Sequence, residues 1–523
     1  MSKALRAIES AVAAVTDRND HDQVVAALRA LSPALIEDVV FGEAAEVLGA
    51  SADGVLVGVG TGVSPGIGIG RAVFSSLDAL EWFNAGQEVV LVAEETAPTD
   101  EPGLRIAAGI ITRAGDAGSH AAILARQWGI PAVCGFGSHE IAEGAQLLLD
   151  GRTGEVRAVD MASGSGAAGS DFLAPGLAPA SGLAEGHEVG RAGRPLNVLP
   201  AAVESVLEWA DKVTEGRIRV LSNADSLEQV ELALQFGASG VGLCRTEEQI
   251  RTTDLGLLGR VAEGEISAMF ELAAAQHEAL APMLIALGGR PITLRLLDMD
   301  GTRVANDMVT GRSEGLRGAK FLLGRPEVLA AQCEGIVRAV DQAVAAGVNV
   351  DLSCCVPMIS ATAELQQICT ILTEAFARFA PDQSGGARVR IGTMIETPRS
   401  ALIANSLAGV ASFFCFGTND LTALTWGVPR ENSSEWVLRS IEHGVFDRDP
   451  FESIDPIGVA RLLALAIETG RSQRPDLGVT LCGAQAADPA SIAMAVALKM
   501  DAISVSPNQV PAARLAACHA VLG

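Results

Sequence analysis

The sequence contains no tyrosine, and aromatic residues make up only 4% of its 523 positions. Ala and Gly are abundant instead, a bias of genome composition that carries no functional content. Basic residues are scarce as well. Lys and Arg number 38 against 63 Asp and Glu, for a net charge of −25. So acidic a chain lacks the positive surface that a sequence-independent grip on nucleic acid or an anionic membrane requires, although it is compatible with a local basic pocket. No apolar run is long enough to span a bilayer. The opening stretch, MSKALRAIESAVAAVTDRND, is amphipathic and carries Glu9 and Asp17, which argues against a secretory signal. The nine cysteines show no metal-type spacing; Cys354 and Cys355 are adjacent and the others are scattered. That pattern is expected of free thiols in a reducing cytoplasm. A glycine loop followed by a helix and a lysine, the usual phosphate cradle for a nucleotide, is missing too.

What is present is a globular chain with a large core, 49% hydrophobic and 19% charged. Its length suggests two to four domains. Residues 1–53 read as a helical segment of two or three short helices, with Asp20 or Asp22 as a cap. Residues 54–160 change texture. GVLVGVG, GIGIGRAVF, EVVLVAEE, AAGIITRAG, PAVCGFG and QLLLDGRTGEVRAV are short β-like runs broken by Gly, Pro and Asp, the pattern of a compact β-rich α/β domain. Residues 161–195 read as a flexible linker, because 161–193 are Gly/Ala/Ser/Pro-rich and without periodicity. From 196 to 523, eight apolar runs alternate with longer helical patterns: RIRVLSNAD, GVGLCRTE, ITLRLLD, VDLSCCVPMI, RVRIGTMIE, FFCFGTND, GVTLCGA and AISVSP. Eight βα units predict a (β/α)8 barrel.

Polar residues gather at the C-terminal ends of these runs: Asp225, Arg245, Arg295, Asp298, Glu396, Asn419, Asp420, Cys482 and Ser506. In a (β/α)8 barrel that end carries the active site. Arg245, Arg295 and Arg317 converge on one mouth if the barrel forms, and Arg430, after the sixth strand, is placed to join them. Guanidinium forks suit phosphate and carboxylate, so the cluster implies a small anionic ligand. Glu396 and Asp420 end neighbouring strands. Two carboxylates completed by substrate oxygens are a common Mg²⁺ arrangement; a salt bridge to the arginines is the alternative. Cys482 is a proton donor to carbon or a small buried hydrophobe. His120, within GDAGSHAAILARQWGIPAVCG, is a reactive group or a polar residue at a helix start; its surroundings alone leave this open.

The stretch GSHAAILARQWGIPAVCG resembles the phosphohistidine motif of the phosphoenolpyruvate-utilising enzymes, the family of pyruvate phosphate dikinase, phosphoenolpyruvate synthase and Enzyme I of the sugar phosphotransferase system. GVSPGIGIGRAVF resembles the opening of that family's swivelling domain. GASGVGLCRTEEQI, ITLRLLDMDG, GLRGAKFLL, VPMISATAEL, IGTMIETPRSAL, FFCFGTNDLTALTWG, CGAQAADPASI and ISVSPNQVPAARLA resemble successive blocks of its barrel. The match covers 55–160 and 215–520 and leans towards the dikinase. It implies an α/β fold in which a swivelling β/β/α phosphohistidine domain is linked to a (β/α)8 TIM barrel. It also implies roles. His120 corresponds to the phosphorylated histidine, and Arg245, Arg295, Arg317 and Arg430 to arginines around phosphoenolpyruvate. Asn419 holds the substrate phosphate, with Thr418 beside it in the substrate-binding set. Glu396 and Asp420 are the Mg²⁺ ligands, and Cys482 protonates C3 of the enolate.

The chain also departs from the family. The dikinase and the synthase carry an ATP-grasp domain, whereas only residues 1–53 precede the swivelling domain here. Gly118 stands where the family usually has Thr, and Ala484 where it has Glu. The resemblance therefore implies a phosphotransferase that interconverts phosphoenolpyruvate and pyruvate through a phosphohistidine, with a separate ATP-grasp protein supplying the nucleotide step. The alternatives are an Enzyme I-like donor to a phosphocarrier protein, and a non-catalytic sensor of phosphoenolpyruvate or pyruvate. Nucleic acid and membrane are not expected partners; a second copy, paired through the barrel, is.

Overall fold

A computed structural model describes residues 3–47, 55–64, 66–96, 100–115, 119, 121–122, 124–125, 130–159, 199–253, 255–299, 317–379, 387–428 and 434–523. Among these, 39–159 form one compact unit, and 3–38 with 199–523 form another.

The first unit is an eight-stranded mixed sheet. Its strands are β1 (Val55–Val59), β2 (Thr61–Ser64), β3 (Ile67–Val73), β4 (Val89–Ala93), β5 (Gly109–Thr112), β6 (Ala132–Cys134), β7 (Gln146–Asp150) and β8 (Glu155–Ala158). Their order is β1-β8-β7-β3-β4-β5-β6-β2. The central four, β3 to β6, pair in parallel, and antiparallel strands flank them. Parallel strands covered on both faces read as continuous apolar runs. VVLVA does so because Val89 and Leu91 enter one core while Val90 and Val92 enter the other. Ala121, Ala122 and Ala125 pack into the first of these cores beside Leu104 and Ile110.

The second unit is a closed parallel barrel. Its strands are β9 (Arg219–Asn223), β10 (Val241–Arg245), β11 (Ile292–Arg295), β12 (Val350–Val356), β13 (Ala387–Ile395), β14 (Phe413–Gly417), β15 (Gly478–Cys482) and β16 (Ala502–Val505), and β16 pairs back onto β9. All eight predicted runs form the barrel in sequence order. The helices Lys3–Ala13 and His21–Ala30 belong to this unit. Asp20 is the cap of the second helix, accepting from the backbone N–H groups of Asp22 and Gln23. That helix is held to the C-terminal helix Val510–Leu522 by reciprocal bonds. Arg29 Nη2 donates to the Leu522 carbonyl at 2.9 Å, and His519 Nε2 lies 2.9 Å from the Leu28 carbonyl.

A buried amide network ties the outer helices to the strand ends. Gln332, on the helix Pro326–Ala345, is fully buried. Its Nε2 donates to Thr246 Oγ1 at 2.8 Å and to Gln276 Oε1 at 3.3 Å, and its Oε1 accepts from the Leu297 N–H at 3.3 Å. Thr246 in turn donates to the Arg295 carbonyl at 2.9 Å. The loops after β10 and β11 thus share one anchor. Replacing Gln332 by Leu strands three buried polar partners, so stability should fall by about 1–3 kcal/mol. Urea denaturation of the two proteins reads this directly; an unchanged midpoint would show that the network is dispensable.

Candidate active site

The barrel register brings the arginines together. β10 and β11 pair so that Arg245 lies opposite Arg295 at their C-terminal ends. Each is half-sheltered and held by carboxylates. The Arg245 backbone N–H donates to Asp225 Oδ1 at 2.6 Å, and its Nε and Nη2 both donate to Asp225 Oδ2. Arg295 pairs with Glu247 through Nη2 and with Asp298 through Nη1, the latter at 3.2 Å. Arg317 reaches Asp298 through Nε and Nη2 at 2.8 and 2.7 Å, and Asp420 through Nη1 and Nη2 at 2.7 and 3.1 Å. The Asp298 side chain is completely buried between the two guanidinium groups. Charges therefore alternate along one line, Glu247–Arg295–Asp298–Arg317–Asp420. The salt bridge considered from sequence does form for Asp420.

Glu396 behaves differently. It follows β13 and is 1% exposed. Its Oε1 accepts from the Met358 N–H at 2.6 Å, while its Oε2 is buried without a hydrogen-bond partner among the described residues. Met358 itself holds a left-handed backbone, φ 54°, rare for a side chain of this type. Gly417, at the end of β14, is required here: a Cβ would stand 2.8 Å from Glu396 Oε2. Burial, then Asp420 and Asp298, push the Glu396 carboxyl up to about 8, against the pull of Arg295 and Arg317. Burial also raises Glu247, with Arg295 opposing it.

Thr418 and Asn419 open the helix Thr418–Trp426. The Thr418 hydroxyl is turned inward, 2.9 Å from the Cys482 carbonyl and 2.6 Å from Gln485 Oε1. Gln485 is fully buried, and its Nε2 donates to Thr422 Oγ1 and the Pro450 carbonyl, each at 3.1 Å. Asn419 Oδ1 accepts from the Ala484 N–H at 3.0 Å, which leaves the amide NH2 as its donor end. Gly483 makes this turn at φ 112°, and a Cβ there would run into the Thr418 hydroxyl. Cys482, the last residue of β15, is 1% exposed, and pairing with Cys415 followed by burial push its thiol well above the usual range.

Of the residues singled out from sequence, the structure brings Arg245, Arg295, Glu396, Thr418, Asn419, Asp420 and Cys482 to the C-terminal ends of barrel strands, and sets Arg317, from the connection between β11 and β12, against Asp298 and Asp420. His120, Arg430, Gly118 and the 161–195 linker lie outside the described residues. Sequence reasoning missed Glu247 and Gln485 as supports. Glu247 sits two residues after Arg245 in LCRTEE, so its nearness was visible although its partner Arg295 was not. Gln485 has only its isolation among small residues in GAQAA as a signal. Three guanidinium groups face five carboxylates: Asp225, Glu247, Asp298, Glu396 and Asp420. That surplus of negative charge, with Glu247 Oε2 and Glu396 Oε2 both buried without a hydrogen-bond partner among the described residues, is suited to a divalent cation. The described residues contain no group of three or more candidate metal ligands, so water or ligand oxygens would complete the coordination.

The raised carboxyl makes a pH prediction. Glu396 ionises near its ordinary 4.5 in the unfolded chain and near 8 in the folded one. The folded state is therefore favoured below pH 4.5 and loses that advantage as pH rises towards 8. Glu396→Gln cannot ionise and escapes the loss. In metal-free buffer its stability relative to wild type should climb between pH 4.5 and 8 and level off above. Denaturant titration of both proteins across this range measures it, and a flat difference would contradict the assignment.

Residues 201–521 match the PEP-binding domain of PEP-utilising enzymes, and residues 85–154 match their mobile domain. Pyruvate, phosphate dikinase 1, chloroplastic, of Arabidopsis thaliana is 32% identical over 505 residues, covering 89% of this chain and 50% of that protein. Pyruvate, phosphate dikinase, chloroplastic, of Flaveria pringlei is 32% identical over 516 residues, with the same coverage. The chain spans about half the length of these relatives; the barrel falls within the first match, and β4 to β7 of the mixed sheet fall within the second. It belongs to the PEP-utilising enzymes.

Proposed function

We propose that this chain interconverts phosphoenolpyruvate and pyruvate through a phosphohistidine at His120, and that the nucleotide step is supplied from outside these residues by a separate protein. The observation that carries the reading is the alternating arginine–carboxylate line at the barrel mouth. A small ligand bearing both a phosphate and a carboxylate offers every guanidinium there a replacement partner. Arg245, Arg295 and Arg317, with Arg430, hold its anionic groups, and the Asn419 amide NH2 donates to the phosphate. Glu396 and Asp420 would hold Mg²⁺, which when bound supplies neutralising charge and orients substrate oxygens. The unpartnered Glu396 Oε2 supports this fit. The phosphoryl group leaves the enol oxygen for a ring nitrogen of His120, breaking a P–O bond and forming a P–N bond. The enolate then takes the Cys482 thiol proton at C3 and becomes pyruvate.

The phosphohistidine domain must face two partners in turn. The Gly/Ala/Ser-rich 161–195 stretch has the composition of a tether for such movement. No described helix is long and apolar enough to cross a membrane. Pairing of two chains through the barrel belongs to the same reading. Leu402, Leu424 and Ile457 are 62%, 49% and 72% exposed there and would gain from cover.

The experiment is incubation with phosphoenolpyruvate and Mg²⁺, followed by intact-mass analysis and an acid-lability test. Wild type should gain one acid-labile phosphate and release pyruvate. His120→Ala should gain none, and Glu396→Gln or Asp420→Asn should reduce labelling at least about 100-fold. ATP with inorganic phosphate should not label the chain. Equal labelling of wild type and His120→Ala would refute the carrier role. Binding of phosphoenolpyruvate without any labelling would favour a sensor.

A further inference from the structure

One loop at the barrel mouth is pinned at nearly every polar backbone atom, and the proposed reaction gives it no task. Residues 357–361 join β12 to the helix Thr362–Phe379. Within it Met358 has φ 54°; among the described residues, Lys499 is the only other non-glycine with a positive φ. An L-residue keeps that conformation only where its surroundings impose it. The Pro357 carbonyl accepts from the Ala319 N–H at 3.1 Å, the Ile359 carbonyl from Thr397 Oγ1 at 3.2 Å, and the Ser360 carbonyl from Arg399 Nη1. The Ser360 and Ala361 N–H groups both donate to Glu364 Oε2, at 2.8 and 2.9 Å.

Met358 itself is held by two side chains, one at each backbone group. Its N–H donates to Glu396 Oε1 at 2.6 Å, and its carbonyl accepts from Lys320 Nζ at 3.2 Å. The same ammonium donates to Ser360 Oγ at 3.0 Å and stands 3.6 Å from Glu364 Oε1. Lys320 is on the short helix Ala319–Gly324, three residues after Arg317. The start of that segment lies directly on the loop: a Cβ at Gly318 would stand 2.7 Å from the Met358 Cβ. To leave the left-handed region, Met358 must turn its φ and ψ. That swings its N–H away from Glu396 or its carbonyl away from Lys320. The two contacts therefore sustain each other across one residue. Because Oε1 of Glu396 is taken by the Met358 N–H, the oxygen left without a hydrogen-bond partner is Oε2.

We propose that Lys320 is a positioning residue for the cation site: it holds Met358 in the left-handed conformation, and Met358 in turn holds Glu396 so that Oε2 is left for the cation. The inference rests on the reading of Glu396 as a cation ligand. Arg317 and Lys320, one turn apart in sequence, then divide the work. The first reaches Asp298 and Asp420, and the second steadies the other acid through a backbone it does not share.

The test is Mn²⁺ binding with phosphoenolpyruvate present, read from the electron paramagnetic resonance signal of free Mn²⁺. A His120→Ala background keeps the ligand from turning over. Four proteins are titrated below the lowest melting temperature of the set: the background alone, and the background with Glu396→Gln, with Lys320→Met, or with Lys320→Met and Met358→Gly together. Lys320→Met keeps the apolar stem and removes the ammonium. It should raise the half-saturating Mn²⁺ concentration about tenfold, the scale of a lost bond to a charged group. Glycine takes a positive φ without steric cost, so adding Met358→Gly should recover most of that loss. Unchanged binding in Lys320→Met overturns the proposal. So does a loss that Met358→Gly does not recover, because Lys320 would then act by some route other than Met358. If Glu396→Gln binds Mn²⁺ as the background does, or if neither binds, the ligand assignment is what fails. If Glu396→Gln loses binding and Lys320→Met does not, the failure belongs to the present inference alone.

Discussion

The barrel mouth depends on one buried carboxylate. Asp298 has no side-chain exposure and lies between Arg295 and Arg317, ion-paired to both and accepting hydrogen bonds from Arg317. Removing two guanidinium groups and a carboxylate from water carries a large desolvation cost, repaid only when every charge keeps its partners. Asp298 does this for two arginines at once and also fixes their separation. Arg317 then carries the constraint to Asp420, and Arg295 carries it to Glu247. Under the proposed function, a ligand with two anionic groups would enter a site whose cations are already aimed and neutralised by groups that can be exchanged. Preorganisation of this kind lowers the ordering cost of binding.

The fold supplies the remaining placement through register and small residues. Parallel pairing sets Arg245 beside Arg295, and the Gln332–Thr246 link fixes the Arg295 backbone from behind. Gly417 leaves room for Glu396 Oε2, and Gly483 leaves room for the Thr418 hydroxyl. Among the described residues, two carboxylate oxygens of the mouth are buried without a hydrogen-bond partner, Glu247 Oε2 and Glu396 Oε2; Glu247 is ion-paired to Arg295 through its other oxygen. A raised carboxyl with an orphaned oxygen beside a second acid is what a cation site looks like when only the protein's own groups are counted.

Much of the architecture was legible in the sequence. The eight barrel strands declare themselves as apolar runs ending in polar residues because both faces of a barrel strand are buried and its C-terminal end is not. In the mixed sheet, the runs VVLVA and GIIT were equally plain, but β2, TGVS, was invisible: four residues, half of them small and polar, and ordered by pairing with β6. The docking of the N-terminal helices could not be read either, since Arg29 meets Leu522 and Leu28 meets His519 across almost the whole chain. In the site, residue types at strand ends gave the cations and acids. Their pairing, the inward turn of Thr418 and the support from Gln485 depend on side chains from different strands sharing a layer. His120 is singled out only by a long motif, because one imidazole among small residues is chemically ambiguous.

The central claim is that the arginine–carboxylate line is an anion site completed by a divalent cation. Calorimetric titration of the purified chain with phosphoenolpyruvate, with and without Mg²⁺, tests it most directly, because binding is read apart from turnover. The account predicts saturable binding that needs Mg²⁺, persists in His120→Ala, and is lost in Arg295→Ala and Arg317→Ala variants that remain folded. Binding of equal strength without Mg²⁺, or unchanged binding in both arginine variants, would contradict it.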